Sequence, residues 1–364
     1  MEIFKYLRPP DNDLWIDLVD RRVFSRVALV CRFFCSVMLP WIFESLVFEC
    51  KKSNGSLNLN HAPFFRSIIR GCGSARTMAT YVKRCWFWDW MQDENDSTPS
   101  WSIAEFQTLY SRALAFMPNV EELKLSRVDI NKYLLKSIME LKCLTSLTLD
   151  FSRGEVKTKN IRKLSTLHLK HLRLFGHSRV DDISEFLCLD SLLTVDTDCL
   201  PFVARIAEQN CNLPLQELII YQVPDAELLP KIFQKTPALQ KLRILSTVTS
   251  YHDVQFDDVL PHLNELCCSL FLLRCLVPGR PISSIEITSN VPTEITDIQS
   301  FFKKSTRKIR SVCVPFDVYK AIPFSEHFPH LESLKLIQDH RPYLLTEQSV
   351  KNVICKLFSH QVKY

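Results

Sequence analysis

The sequence predicts an α/β solenoid, with a parallel sheet of short strands inside and helices outside, preceded by a small N-terminal α-helical segment. Three observations predict it. Ten apolar triplets of the form Leu-x-x-Leu-x-Leu, or a near variant, lie between Met117 and Leu336 and recur about every 24 residues. Helix-like stretches fill the gaps between them. The chain of 364 residues has only six glycines, which argues against the phosphate-cradling βα turns of an ordinary doubly wound domain.

Residues 1–50 read as helix and then strand. Val27, Val30, Cys31 and Phe34 fall at i, i+3, i+4 and i+7, one face of a helix. Pro40 stops that helix or starts the next segment. Phe43-x-x-Leu46-x-Phe48 is a strand triplet of the same type as the repeats. Leu29-Val30-Cys31-Arg32-Phe33-Phe34 resembles the hallmark of an F-box, a Leu-Val-Cys-Arg segment followed two residues later by an aromatic, here Phe34. Trp41-Ile42-Phe43 resembles the short apolar tail of that motif, and Glu2-Ile3-Phe4-Lys5-Tyr6-Leu7 the second half of its first helix. The resemblance is to an N-terminally shortened F-box: the chain opens inside the first helix, without the usual Leu-Pro pair. The connection Arg8–Arg22, with Pro9-Pro10, is longer and more polar than usual.

Residues 51–116 read as a linking region with an irregular first repeat. The stretch 51–80 begins polar and irregular, then Phe64, Ile68 and Ile69 suggest a short helix. Tyr81–Phe87 reads as another sheet strand, Asp93–Ser100 as an exposed insertion loop, and Ile103–Met117 as a helix. Trp86, Trp88, Trp90 and Trp101 form an aromatic cluster in the sequence. Such a cluster either caps an exposed core or anchors a partner.

Residues 117–364 read as the array and a C-terminal capping helix. The middle apolar residues of the triplets are Leu123, Leu147, Leu172, Leu192, Leu218, Leu242, Leu266, Ile285, Val312 and Leu334, at spacings of 24, 25, 20, 26, 24, 24, 19, 27 and 22. Eight triplets are strict. Leu189-x-x-Leu192-x-Thr194 and Leu263-x-x-Leu266-x-Cys268 are degraded, and Leu164, Leu167 and Leu169 offer the third an alternative register. Alternation within a triplet fits a strand with one buried face. Leu134, Leu135, Ile138 and Leu141 stand at helical spacing in Asn131–Leu141, as do Leu228, Leu229 and Phe233 in Asp225–Lys235, and Ile295, Ile298 and Phe302 in Glu294–Phe302. One such unit cannot bury its own apolar face, whereas stacked neighbours can. Val350, Val353, Ile354 and Leu357 place a closing helix in Thr346–Phe358. Met117-Pro-Asn-Val-Glu-Glu-Leu and Phe328-Pro-His-Leu-Glu-Ser-Leu resemble the segments of leucine-rich repeats that leave a helix and lead into a strand.

Composition narrows the function. Net charge is +5 with 46% hydrophobic residues. The densest basic stretch, Lys303-Lys304 with Arg307-Lys308 and Arg310, reads as a solvated helix end, and nucleic acid is not expected as a partner. No stretch approaches the roughly 18–20 apolar residues of a membrane span, and the N-terminus lacks the pattern of a secretory signal. The fourteen cysteines include no Cys-x-x-Cys pair, so we expect reduced thiols, no metal and no cofactor, in the cytoplasm or nucleus. No nucleophile elbow, Walker loop or zinc-protease motif appears. Asp181-Asp182 and Asp257-Asp258 fall where helices would start and suit charge compensation there. An enzyme is not expected.

Taken whole, the chain resembles an F-box and leucine-rich-repeat protein of the fungal type. The resemblance implies that Ile3, Phe4, Leu7, Val30, Cys31 and Phe34 contact the Skp-type adaptor of a cullin–RING ubiquitin ligase. It also implies that the array holds an unknown target protein. On the sheet face, side chains flanking the anchors would meet that target, with Arg173, Phe175, Tyr221, Lys241 and Arg243 as a cationic and aromatic set. The alternative is a repeat scaffold with a vestigial F-box, its N-terminal helices merely capping the array.

Overall fold

A computed structural model describes residues 18–53, 56–58, 62–91, 100–150, 153–154, 166–176, 187–223, 227–245, 256, 259–288, 301–321 and 328–337. Several expectations lie outside these residues: the contacts of Ile3, Phe4 and Leu7, the insertion loop, most of the helix at 294–302, the paired aspartates and the closing C-terminal helix. The chain forms two compact units, Met1–Cys188 and Leu189–Tyr364.

The first unit starts with helices α1 (Leu18–Ala28) and α2 (Arg32–Phe43), then strand β1 (Ser45–Glu49) and a small antiparallel pair, β2 (Lys51–Ser53) with β3 (Ser56–Asn58). The pair occupies a stretch expected to be irregular. Helices α3 (Ala62–Arg70) and α4 (Ala75–Ala79) follow, then β4 (Arg84–Trp90), α5 (Ser100–Leu114), β5 (Glu122–Ile130), α6 (Lys132–Glu140), β6 (Ser146–Asp150), the short β7 (Arg153–Gly154) and β8 (His171–Phe175). Strands β1, β4, β5, β6 and β8 pair in that order, all parallel, and β7 pairs in parallel with the end of β5. Leu46, Cys85, Leu123, Leu147 and Leu172 stand in one register row. The Phe43–Phe48 triplet is therefore a repeat strand, and the third repeat takes its Leu169-Leu172-Leu174 register.

The second unit contains β9 (Thr194–Thr197), α7 (Leu200–Ala207), β10 (Glu217–Ile220), α8 (Leu228–Lys235), β11 (Lys241–Ile244), β12 (Glu265–Cys268), α9 (Leu270–Leu276), β13 (Ser284–Ile287), β14 (Ser311–Pro315), α10 (Phe316–Ala321) and β15 (Ser333–Ile337). Its strands pair in sequence order, all parallel. The register row runs through Val195, Leu218, Leu242, Leu266, Ile285, Val312 and Leu334. Leu192 is therefore not an anchor, which corrects the fourth repeat. It takes the first triplet position, buried three residues ahead of the strand centre like Leu215, Leu239 and Leu263. Thr197 then fills the third position, fully buried, with its hydroxyl accepting from the Cys199 amide at 3.0 Å. A buried threonine in an apolar slot disguised this repeat.

A recurring backbone device defines the repeats in both units. At the start of β4, β5, β6, β8 and each strand from β10 to β15, one carbonyl of the preceding repeat accepts two successive amides at 2.8–3.1 Å. The acceptors are Glu44, Lys83, Glu121 and Thr145 in the first unit, and Leu193, Gln216, Gln240, Asn264, Ser283 and Arg310 in the second. Each repeat satisfies the turn of the next, as buried backbone requires.

Helices cover the apolar side of the sheet. In the first unit Phe48 meets Phe65 edge-on at 4.7 Å, and tilted ring contacts link Phe65 to Tyr110 at 4.1 Å and Tyr110 to Trp90 at 4.8 Å, joining β1, α3, α5 and β4. Helix α6 is capped by Asn131, whose Oδ1 accepts from the amides of Tyr133 and Leu134 at 3.0 and 2.9 Å. Buried Gln107 on α5 donates to the carbonyls of Trp90 and Asp129, both at 3.1 Å, and accepts from Asn131 Nδ2 at 3.0 Å. It ties one helix to two strand ends and the cap of the next helix.

Candidate recognition surfaces

Three surfaces come out of this architecture. The first is the elbow between α1 and α2. The sequence predicts one helix through Val27, Val30, Cys31 and Phe34, and the structure corrects this. Helix α1 ends at Ala28, Cys31 is extended at φ −160°, and α2 starts at Arg32. Tertiary packing overrides the local pattern. Folding α2 back on α1 brings Phe24 edge-on to Trp41 at 5.7 Å and buries Phe24 and Met38. Pro40 neither stops nor starts a helix; it lies inside α2, where its ring removes one helical hydrogen bond. The fold-back leaves Leu29, Val30 and Phe33 at 86%, 70% and 61% exposure, with Cys31 exposed beside them. Phe34 is half-buried, its ring 5.7 Å from that of Phe33.

The second surface is the open face of the first unit's sheet. Register aligns Arg84, Glu122, Ser146 and His171 in one row, Trp86, Lys124, Thr148 and Arg173 in the next, and Trp88, Ser126, Asp150 and Phe175 in a third. Lys124 Nζ sits 4.2 Å from the Trp86 ring centre, and the Trp86 and Trp88 rings are 4.8 Å apart. Trp86 Nε1 donates to Ser126 Oγ at 3.3 Å, which donates to Asp150 Oδ2 at 3.2 Å. The Arg173 guanidinium lies 5.6 Å from the Phe175 ring centre. Burial lowers the Lys124 pKa, with Asp150 opposing that and Arg173 adding to it. The face is a cationic and aromatic platform, and Trp88 is 39% exposed upon it.

The alternation of this face reverses at its far end. Asp89 and Arg127 take left-handed backbone at φ 61° and 55° and pair at 3.0 Å. After Arg127 the buried positions shift from Leu123 and Leu125 to Val128 and Ile130. The same shift after Asp89 turns Trp90 into the core, where its Nε1 bonds the Phe48 carbonyl. The tryptophan cluster of the sequence therefore divides: Trp86 and Trp88 belong to the face and Trp90 to the core, while the side chain of Trp101 lies outside the described residues.

The third surface is the open face of the second unit's sheet. Asp196, Ile219, Arg243, Cys267, Glu286, Cys313 and Lys335 form its central register row. Arg243 pairs with Glu286 at 3.1 Å, reaching across β12, and so covers Cys267. Burial pushes the Cys267 thiol up to about 12, with Glu286 adding to it. Lys241 pairs with Glu265 at 3.4 Å. Of the five residues expected to meet a target, Arg173 and Phe175 lie together on the first unit. Tyr221, Lys241 and Arg243 lie on the second, and both of its cations are in ion pairs. The sequence reading did not join Trp86, Trp88 and Lys124 into one site. Their signal was there: strict alternation from Arg84 through Trp88 next to Glu122-x-Lys124.

Among the described residues no group of side chains could hold a metal ion, and no helix is long and apolar enough to cross a membrane. The thirteen described cysteines are free thiols. No protein-family model and no curated protein matches the chain. Among solved structures it is similar to an internalin (inlF) from Listeria monocytogenes, at 12% identity over 73% of this chain and 71% of that one, with a TM-score of 0.33.

Proposed function

We propose that the chain is a substrate-recognition subunit of a cullin–RING (SCF-type) ubiquitin ligase, docking the Skp-type adaptor through the α1–α2 elbow and holding a target protein on its sheet faces. One observation carries this reading: Leu29, Val30, Cys31 and Phe33 are presented to solvent on a helical hairpin directly ahead of the first repeat strand. A hairpin that served only to cap the array would turn these side chains inward. Val30, Cys31 and Phe34 of the F-box resemblance belong to this elbow, joined by Leu29 and Phe33. On the target side, Trp88, Arg173 and Phe175 of the first unit are the strongest anchors, because aromatic and arginine side chains dominate interface energetics. The chain contributes position, and the ligase contributes chemistry.

Purified adaptor is captured with the full chain and with a Leu29→Asp, Val30→Asp variant. These residues are exposed, so circular dichroism and thermal melting should match the parent. Capture by the parent and loss by the variant is the expected result. Equal capture by both, or none by a folded parent, overturns the ligase reading and leaves a repeat scaffold.

A further inference from the structure

The second unit carries a charged site that neither sheet face includes. Lys303, Lys304, Arg307, Lys308 and Arg310 lie within eight residues, all exposed, with no acidic residue among them. The last three line a cavity of about 570 Å³ with Ser283 and Thr306, within the size range of small-ligand sites. Among the described residues, no carboxylate pairs with Arg307 or Lys308. Arg310 meets Glu332 at 3.6 Å, but both side chains are mostly exposed, so that pair is weak and exchangeable.

The backbone presenting these cations is fixed. Ser305 Oγ donates to the Arg280 carbonyl at 3.0 Å, the Thr306 amide donates to the same carbonyl at 3.0 Å, and Gly279 donates to Lys304 at 2.9 Å. Ile309 is buried between Lys308 and Arg310, and Arg310 lies in the repeat turn, its amide donating to Ser283 at 2.9 Å. Backbone fixed in this way needs no further ordering when an anion binds, so only the cationic side chains must be immobilised. We propose that this cavity is a binding site for a compact polyphosphate anion, with Arg307, Lys308 and Arg310 neutralising it and the Thr306 hydroxyl donating to its oxygens. Nucleic acid fits less well. The patch is one turn and one strand start long, and its aromatics, Phe301 and Phe302, are buried against each other and against Phe328, leaving no ring among the described residues of the patch for a base to stack on.

The test is calorimetric titration of the full chain with sodium tripolyphosphate at fixed ionic strength. Sodium sulfate and a short single-stranded oligonucleotide of matched phosphate count serve as comparators. Saturable one-to-one binding is expected, steeply salt-dependent and about 30-fold weaker in Arg307→Glu, Lys308→Glu, since exposed charge pairs are each worth up to about a fivefold change. A milder Lys308→Gln guards against misfolding and should weaken binding several-fold. Lys241→Gln, on the sheet face, should leave it unchanged. Undiminished binding in both patch variants, sulfate competing as well as tripolyphosphate, or tighter binding of the oligonucleotide would each overturn the proposal.

Discussion

Arg280 offers the sharpest test of what holds the second unit together. It is buried, and its guanidinium donates to five carbonyls: Val259 at 2.8 Å, Leu276 and Pro278 at 3.1 Å, Cys275 at 3.3 Å, and Phe256. Cys275 and Leu276 end α9, so the cation also stands at the negative end of a helix. Arg280→Met keeps most of the apolar stem and removes every donor. The bonds to Leu276 and Phe256 are themselves buried, and each carbonyl stranded without water costs about 1–3 kcal/mol. The other three carbonyls can recover part of their loss by hydration. Removing a desolvated charge returns something as well. The net loss expected is about 3–5 kcal/mol, or a melting temperature lower by roughly 10 °C in a unit of this size. Thermal unfolding by circular dichroism measures it. Hydrogen exchange locates it, because the amides of Gly279 and Thr306 should lose protection first. Arg280→Lys, with one nitrogen, should fall between the two. A melting temperature within about 2 °C of the parent, with unchanged exchange around residue 280, would show that the guanidinium bonds contribute no net stability.

Three further outcomes follow from named contacts. Asn131→Ala removes the α6 cap and the Gln107 bond together and should cost about 1–2 kcal/mol in urea denaturation; a change inside measurement error would refute the cap's role. Glu286→Gln removes the carboxylate that helps keep Cys267 protonated, so the thiol pKa falls and its alkylation by iodoacetamide at mildly alkaline pH speeds up by mass spectrometry; an unchanged rate refutes the coupling. Burial also raises Cys85 and Cys268 well above the usual thiol value. The unfolded chain releases those protons near the ordinary thiol pKa while the folded chain keeps them. Stability is therefore full below about pH 8.5 and falls above it, by about 1.4 kcal/mol per pH unit per thiol. Cys85→Ala, Cys268→Ala should flatten the alkaline limb of melting temperature against pH, and an identical limb would refute this.

The architecture was legible because its signal is redundant. Each repeat places an apolar residue three ahead of its anchor and another two beyond, so one substitution rarely erases the period. The fourth repeat shows where redundancy fails: Leu192 and Val195 are both apolar, and only the backbone pairing of Val195 with Leu218 separates the two registers. What stayed hidden was set by tertiary contact. The α1–α2 elbow exists because Phe24 gains Trp41 and Met38 gains a core, which no period in residues 18–43 announces. The paired left-handed residues Asp89 and Arg127 are ordinary in type, and neither is a glycine whose presence would mark the turn. Their effect is large, because they decide that Trp88 meets solvent while Trp90, two residues on, does not. The candidate face was thus half visible. Its residue types were in the sequence, but the row joining Trp86 to Lys124 and Arg173 needs the register. The sequence grouped Lys241 and Arg243 with Tyr221 by type and spacing. It could not show that Glu265 and Glu286 already neutralise them, since those partners lie one and two strands away. A target that engages Lys241 or Arg243 must accept these pairs intact or break them, whereas Trp88 and Phe175 need only be covered. If the proposed target binding holds, this asymmetry puts its weight on the first unit's face.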